Sequence, residues 1–398
     1  ESGENMADIS DYAVTFGSFR FSEMGITEAD NAIFSRLAYL DLTPFTGKTL
    51  GETAEEYEPG DESNKTLHET YELLKKAGKT IRYGYITIAD CREIVSDDMQ
   101  TAFYAVTFAT DKNTFFIAFR GTDDKIVGFY EDAKLAYAFP VSSQTSALSY
   151  VTDQLDTRKG RFFLGGHSKG GNLAIFAFLF LREAQKDRII RVYNNDGPGF
   201  PQEIADILFT KANGEKILNL LPEDSIIGRM LSDGGKIKIV KSTATGAAQH
   251  NLFTWEINGA GFKTVKRFSQ FSEYMEDSLT QSLETLPPER MRDAAAAVFE
   301  IAKNSGIKTL KDINIKNFRS LLPAVAELKQ LVDEDTDDIP VIVKTLAKSM
   351  VDALSVEKIV ERSMPEVISK IDEFTEKIRN KAEEKNAFPA EELHKEKN

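Results

Sequence analysis

The sequence of 398 residues has one cysteine, Cys91, so no intrachain disulfide can form and the fold must stand on packing alone. A lone thiol fits a reducing compartment, and a cytoplasmic location is the expectation. Positive charge is scarce too: 49 Lys and Arg against 63 Asp and Glu leave a net charge of -14. Sequence-independent nucleic-acid binding rests on Lys and Arg neutralising phosphates, so no nucleic-acid partner is expected. The same balance gives no general attraction to anionic lipid. Spanning a bilayer takes about 20 consecutive apolar residues. The longest apolar run, Ala174 to Leu181, falls far short, and no transmembrane segment is expected. Glu1 to Arg20 carries no apolar centre of the kind a signal peptide needs. What is present is an apolar share of 41%, ordinary for a globular protein.

Residues 1–79 read as a helical segment packed on the body of the protein. Apolar residues have helical spacing over Ala32 to Leu40, an acidic loop runs from Glu52 to Asn64, and a helix follows around Leu67 to Lys76. Residues 80–262 change character. Strands are predicted at Ile81–Ile88, Ala102–Ala109, Phe115–Phe119, Phe162–Leu164, Ile189–Tyr193, Ile217–Leu221 and Ile237–Val240. Helices are predicted between the later ones, at Ser146–Leu155, Asn172–Arg182 and Gln202–Ala212. Strands alternating with crossover helices imply an α/β fold with a largely parallel central sheet covered on both faces. Residues 263–398 read as an all-helical extension, with helices at Met291–Lys303, Val341–Leu354 and Val367–Ile378. Such an extension suits a cap or a surface for homo-oligomerisation.

The chemical signal is Gly166-His-Ser-Lys-Gly170, set between an apolar strand and an apolar helix. This is the pattern of a nucleophile elbow, with Ser168 as the nucleophile. A serine on so sharp a turn sits in strained backbone geometry, and side chains two positions away on either side would collide with strand or helix. Gly166 and Gly170 remove those side chains. A serine hydroxyl needs a base, and the chain has only four histidines. His167 flanks the nucleophile and suits a packing role. His68 lies on a polar helix beside Glu69 and Glu72, and His394 in a charged tail. His250 remains, in a loop after the last predicted strand, and is the candidate base.

The acid that orients the imidazole should leave a strand end between Ser168 and His250. Asp196 and Asp224 both do. Asp224 is favoured, because Asp196 followed by Gly197-Pro-Gly199 reads equally well as turn chemistry, and Glu223 is a weaker third choice. The oxyanion hole needs two donors. One is the backbone N–H of Lys169; the other is Thr122, after the strand Phe115–Phe119, which can offer an amide and a hydroxyl.

With these residues assembled, the chain resembles the class 3 (fungal-type) lipases, closest to a bacterial branch that carries a helical C-terminal extension. The resemblance rests on Ala118-Phe-Arg-Gly-Thr122, Gly166-His-Ser-Lys-Gly-Gly171, Pro222-Glu-Asp-Ser-Ile-Ile227 and the His250 loop. It implies an α/β-hydrolase fold, Thr122 as an oxyanion residue, Asp224 as the acid, and a lid over the site formed by residues 124–139. Lys169 departs from the pattern, since the lipases usually have an apolar residue there. Pairing with a carboxylate is the expectation for it.

The implied reaction is hydrolysis of a carboxylic ester through a Ser168–His250–Asp224 triad and an acyl-enzyme, without metal or organic cofactor. The expected substrate is a small acyl ester or lipid-like molecule. A thioesterase, amidase or acyltransferase would use the same machinery, and a non-catalytic binding module is the rival of another class.

Overall fold

A computed structural model describes residues 7–60, 64–96, 101–123, 126–135, 137–232, 234–273, 276 and 292, all within the unit Glu1–Lys344. The three C-terminal helices expected from the sequence lie, Arg292 apart, outside the described residues.

The N-terminal segment forms α1 (Ile9–Thr15), α2 (Glu28–Leu37), α3 (Leu50–Glu56), α4 (Lys65–Gly78) and α5 (Ile81–Gly84). Polar side chains start each of them. Asp8, Thr27 and Thr49 close capping boxes at the first three, and Asn64 and Thr80 cap the other two. The expected strand Ile81–Ile88 is therefore corrected: its first half is α5. Thr80 Oγ1 accepts the Tyr83 amide, and the Arg82 side chain turns inward to the carboxylate of Asp30.

The sheet is built from β1 (Thr87–Ser96), β2 (Thr101–Asp111) and β3 (Thr114–Phe119), then α6 (Ile126–Lys134) and α7 (Ser142–Thr157). There follow β4 (Arg161–His167), α8 (Lys169–Phe180), α9 (Glu183–Lys186), β5 (Ile189–Asn195), α10 (Gln202–Leu208) and α11 (Lys211–Lys216). The chain continues through β6 (Ile217–Pro222), β7 (Lys236–Val240), a β8 (Ile257–Asn258) and β9 (Gly261–Phe262) hairpin, and β10 (Thr264–Val265). The order of the main sheet is β1-β2-β3-β4-β5-β6-β7-β10. Strands β3 to β7 are parallel, while β1, β2 and β10 pair antiparallel at the two ends.

Period-two alternation sends each strand's side chains into two separate cores. Tyr104, Val106, Phe108, Phe116 and Ala118 point to one face, where they meet Ile33, Phe34 and Leu73 from the N-terminal helices. Phe103, Ala105, Ile117 and Phe119 point to the other, against Tyr150 and Val151 of α7 and Leu173 to Leu179 of α8. A parallel centre with both faces helix-covered is the α/β-hydrolase architecture that the sequence implied. The N-terminal layer is fastened by a buried ion pair: Arg82 Nε donates to Asp30 Oδ1 at 2.8 Å, with neither side chain exposed.

Candidate active site

The parallel strands end together, and their C-terminal edge carries the polar groups. Ser168 follows β4 directly and precedes α8, with φ 58° and ψ -133°. The positive φ is the strain expected of an elbow. A Cβ on Gly166 would lie 2.2 Å from the Gly170 carbonyl carbon, and one on Gly170 would lie 2.2 Å from Phe119 O. Both glycines are therefore required by backbone packing, as the spacing indicated. Gly121 is a third, since its Cβ would meet His167 O at 2.4 Å and Ser168 Cβ at 3.1 Å. That contact brings the residue before Thr122 directly against the elbow.

His250 is half-buried, and its Nδ1 donates to Asp196 Oδ2 at 2.7 Å. Asp196, not Asp224, is thus the carboxylate that meets the histidine, and the expected pairing is corrected. The reason is register. β4 and β5 pair His167 with Asn195, so Ser168 and Asp196 emerge side by side, each one residue past its strand. Asp196 has φ 51°, a left-handed conformation that aspartate tolerates better than most residues. Its other oxygen accepts from Ser225 Oγ and from the Gly228 amide at 3.1 Å. The carboxylate is buried and fully hydrogen-bonded, with the one remaining direction aimed at the imidazole. Gly197 still serves the turn, because a Cβ there would lie 2.2 Å from Ser168 O.

Asp224 has a different place. Its Oδ2 accepts from the Gly246 amide at 2.7 Å and from Gln249 Nε2 at 2.8 Å, while its own amide donates to Gln249 Oε1 at 2.9 Å. It braces the short helical turn that carries His250. Glu223 pairs with Lys241, and among the described residues its carboxylate makes no hydrogen bond to the histidine loop.

His167 is more than packing. Tyr39 Oη lies 2.9 Å from its Nδ1, and its Nε2 lies 2.7 Å from the main-chain oxygen of His250. A carbonyl only accepts, so Nε2 carries the proton and Nδ1 accepts from the tyrosine. Burial, then the neighbouring His250 and Arg36, push its pKa well below the ordinary value, which keeps the ring neutral. The two imidazole rings have centroids 4.4 Å apart. No hydrogen bond joins Ser168 Oγ to His250 among the described residues; such bonds often tighten only when substrate is bound.

Lys169 is buried and paired, as expected. Its Nζ lies 3.2 Å from Glu131 Oε2, 3.5 Å from Asp132 Oδ1 and 3.2 Å from Ala102 O. Desolvation pulls its pKa down, but Asp132 and Glu131 outweigh that and the net shift is upward. For Glu131 burial acts upward, yet Lys169 and the hydrogen bonds from Ser143 and Ala102 prevail and hold it ionised. The Thr122 hydroxyl is not free for a ligand, because it donates to Asp132 Oδ2. The Lys169 amide opens the first turn of α8 and has no acceptor within the helix. Among the described residues no three His, Cys, Asp or Glu side chains gather to hold a metal ion.

A family profile described as Mbeg1-like matches residues 77–300, which contain the sheet, the elbow, both aspartates and His250. The chain belongs to the Mbeg1-like family. Solved structures with a similar fold include a fungal lipase in complex with an inhibitor (16% identity, TM-score 0.35), covering 59% of this chain and 84% of that one. Another is the Rhizomucor miehei lipase–propeptide complex (17% identity, TM-score 0.32), covering 49% of this chain and 67% of that one. A third is M37 lipase (13% identity, TM-score 0.35), covering 76% of this chain and 99% of that one. No curated protein matches the chain. Among the described residues no helix is long and apolar enough to cross a membrane.

Sequence reasoning missed Tyr39, Glu131, Asp132 and Gln249, because each acts through a contact distant in the chain. For Asp196 the sequence carried no deciding signal: the predicted strands end at Tyr193 and Leu221, three residues before Asp196 and Asp224 alike, and only the folded strands place Asp196 one residue past β5 and Asp224 two past β6.

Proposed function

We propose that the protein is a serine hydrolase that cleaves a carboxylic ester through an acyl-enzyme, with Ser168, His250 and Asp196 as its triad. His250 Nε2 takes the Ser168 proton as Oγ attacks the carbonyl carbon. Asp196 holds Nδ1 protonated, which leaves Nε2 as the base. The oxyanion of the tetrahedral intermediate is received by the amides of Thr122 and Lys169, backed by the dipole of α8. Protonated His250 then gives its proton to the departing alcohol. The acyl-enzyme is released by water, activated by the same histidine. The observation that carries this reading is the 2.7 Å contact between His250 Nδ1 and a buried carboxylate whose other bonds are satisfied, beside a serine of positive φ.

Incubation with a fluorophosphonate probe tests it. Covalent labelling at Ser168, lost in His250→Ala, is the expected result. Absence of labelling, with a positive control labelled, removes the hydrolase reading and favours a binding module. A panel of ester, thioester and amide substrates then assigns the leaving group.

A further inference from the structure

The segment after Thr122 was expected to be a lid. Its helix α6 is instead tied into the interior by a carboxylate. Glu131 has no exposed surface and receives five hydrogen bonds: from Thr101 Oγ1, the Ala102 amide, the Ser143 amide, Ser143 Oγ and Lys169 Nζ. These donors come from the start of β2, the first turn of α7 and the first residue of α8. The next residue, Asp132, takes the hydroxyl of Thr122. Val127, Tyr130 and Leu135 are buried as well, so the apolar surface of these three residues already lies inside the protein.

From this geometry we infer that α6 is a fixed wall of the site, and that the hydrolase takes its ester substrates as dispersed molecules in water, not from a lipid aggregate. The inference rests on the function proposed above. A lid that opens at an interface must uncover an apolar side and leave the site's own groups in place. Swinging α6 outward would do the opposite. It would strip a buried carboxylate of every donor and leave the Lys169 ammonium without its partner. It would also remove the carboxylate that orients Thr122, whose amide the reaction needs. The net charge of -14 adds repulsion from any anionic surface.

Two measurements on the full chain test this separately. The first is fluorophosphonate labelling of Ser168 and hydrolysis of p-nitrophenyl butyrate, each with and without phosphatidylcholine vesicles, the ester being taken through its solubility limit. Rates that saturate smoothly and change by less than about twofold with vesicles support the inference; a jump of about tenfold or more overturns it. The second is hydrogen exchange over α6, which does not depend on turnover. Equal protection with and without vesicles supports the fixed wall, and faster exchange with vesicles overturns it. Absence of labelling under all conditions defeats the hydrolase reading alone, while the exchange result still decides the wall. Glu131→Gln, which removes the charge opposite Lys169, is expected to speed exchange in α6 in water.

Discussion

Replacing Asp196 by Asn separates the two aspartates more sharply than any other change. The substitution keeps one oxygen, which can still accept from Ser225 Oγ and the Gly228 amide at 3.1 Å. The other oxygen becomes an NH2 facing His250 Nδ1 across 2.7 Å. Two donors cannot share that contact, so the imidazole moves its proton to Nε2, accepts from the Asn NH2 at Nδ1, and no longer offers a basic nitrogen to Ser168. A triad held in the wrong tautomer loses about 10⁴-fold in rate, or about 5 kcal/mol of transition-state stabilisation. Losing a hydrogen bond to a charged group costs about 1.5–3 kcal/mol of folding stability, which a domain of this size should survive. Asp224→Asn is the matched control. Its retained oxygen can accept from both the Gly246 amide and Gln249 Nε2, so the loop stays in place. Its effect should stay below about tenfold, or roughly 1.4 kcal/mol. The assay is the rate of fluorophosphonate labelling at Ser168, with thermal unfolding recorded for both variants. Silencing by Asp224→Asn alongside near-normal labelling of Asp196→Asn would refute the assignment.

His167 gives a pH prediction. Its folded pKa is depressed below 6.5, so the unfolded chain takes up a proton first as pH falls. The stability it allows is complete above about pH 6.5 and is lost as pH drops below it, by up to about 1.4 kcal/mol per pH unit. Urea unfolding at two pH values, one above and one well below about 6.5, should show this loss in the wild type and not in His167→Asn; parallel behaviour would count against it. Asp30→Asn leaves the Arg82 guanidinium buried without a counter-charge, and should cost about 3–5 kcal/mol in the same assay. Gly170→Ala places a methyl 2.2 Å from Phe119 O, and should destabilise by about 3 kcal/mol or prevent folding. An unchanged melting temperature for either variant would contradict the packing described.

Lys169 illustrates how a departure from a family pattern can be read. Beside a nucleophile, a lysine could face the substrate or the protein. Burial and two carboxylates decide for the protein, so the charge contributes to holding α6 and offers nothing to a ligand. The sequence allowed the pairing but could not name Glu131, which lies 38 residues earlier in the chain and meets Lys169 only through the crossing of α6 over β2.

The elbow was readable from five residues because every collision that demands Gly166 and Gly170 occurs within one strand–turn–helix unit or its nearest strand. Most strands and helices of the core were readable for a similar reason, since burial on one face or two leaves its period in the chain. The segment at Ile81 was misread because its side chains serve long-range partners: Arg82 is apolar-packed and ion-paired to Asp30, a contact without local signature. The acid was likewise beyond local reading. Asp196 and Asp224 each follow a strand and each stand beside turn residues, so local chemistry treats them alike. Only the register of β5 on β4, and the path that brings His250 back over the strand ends, chooses between them. One carboxylate meets the imidazole and the other braces its loop, and that division exists nowhere but in the folded chain.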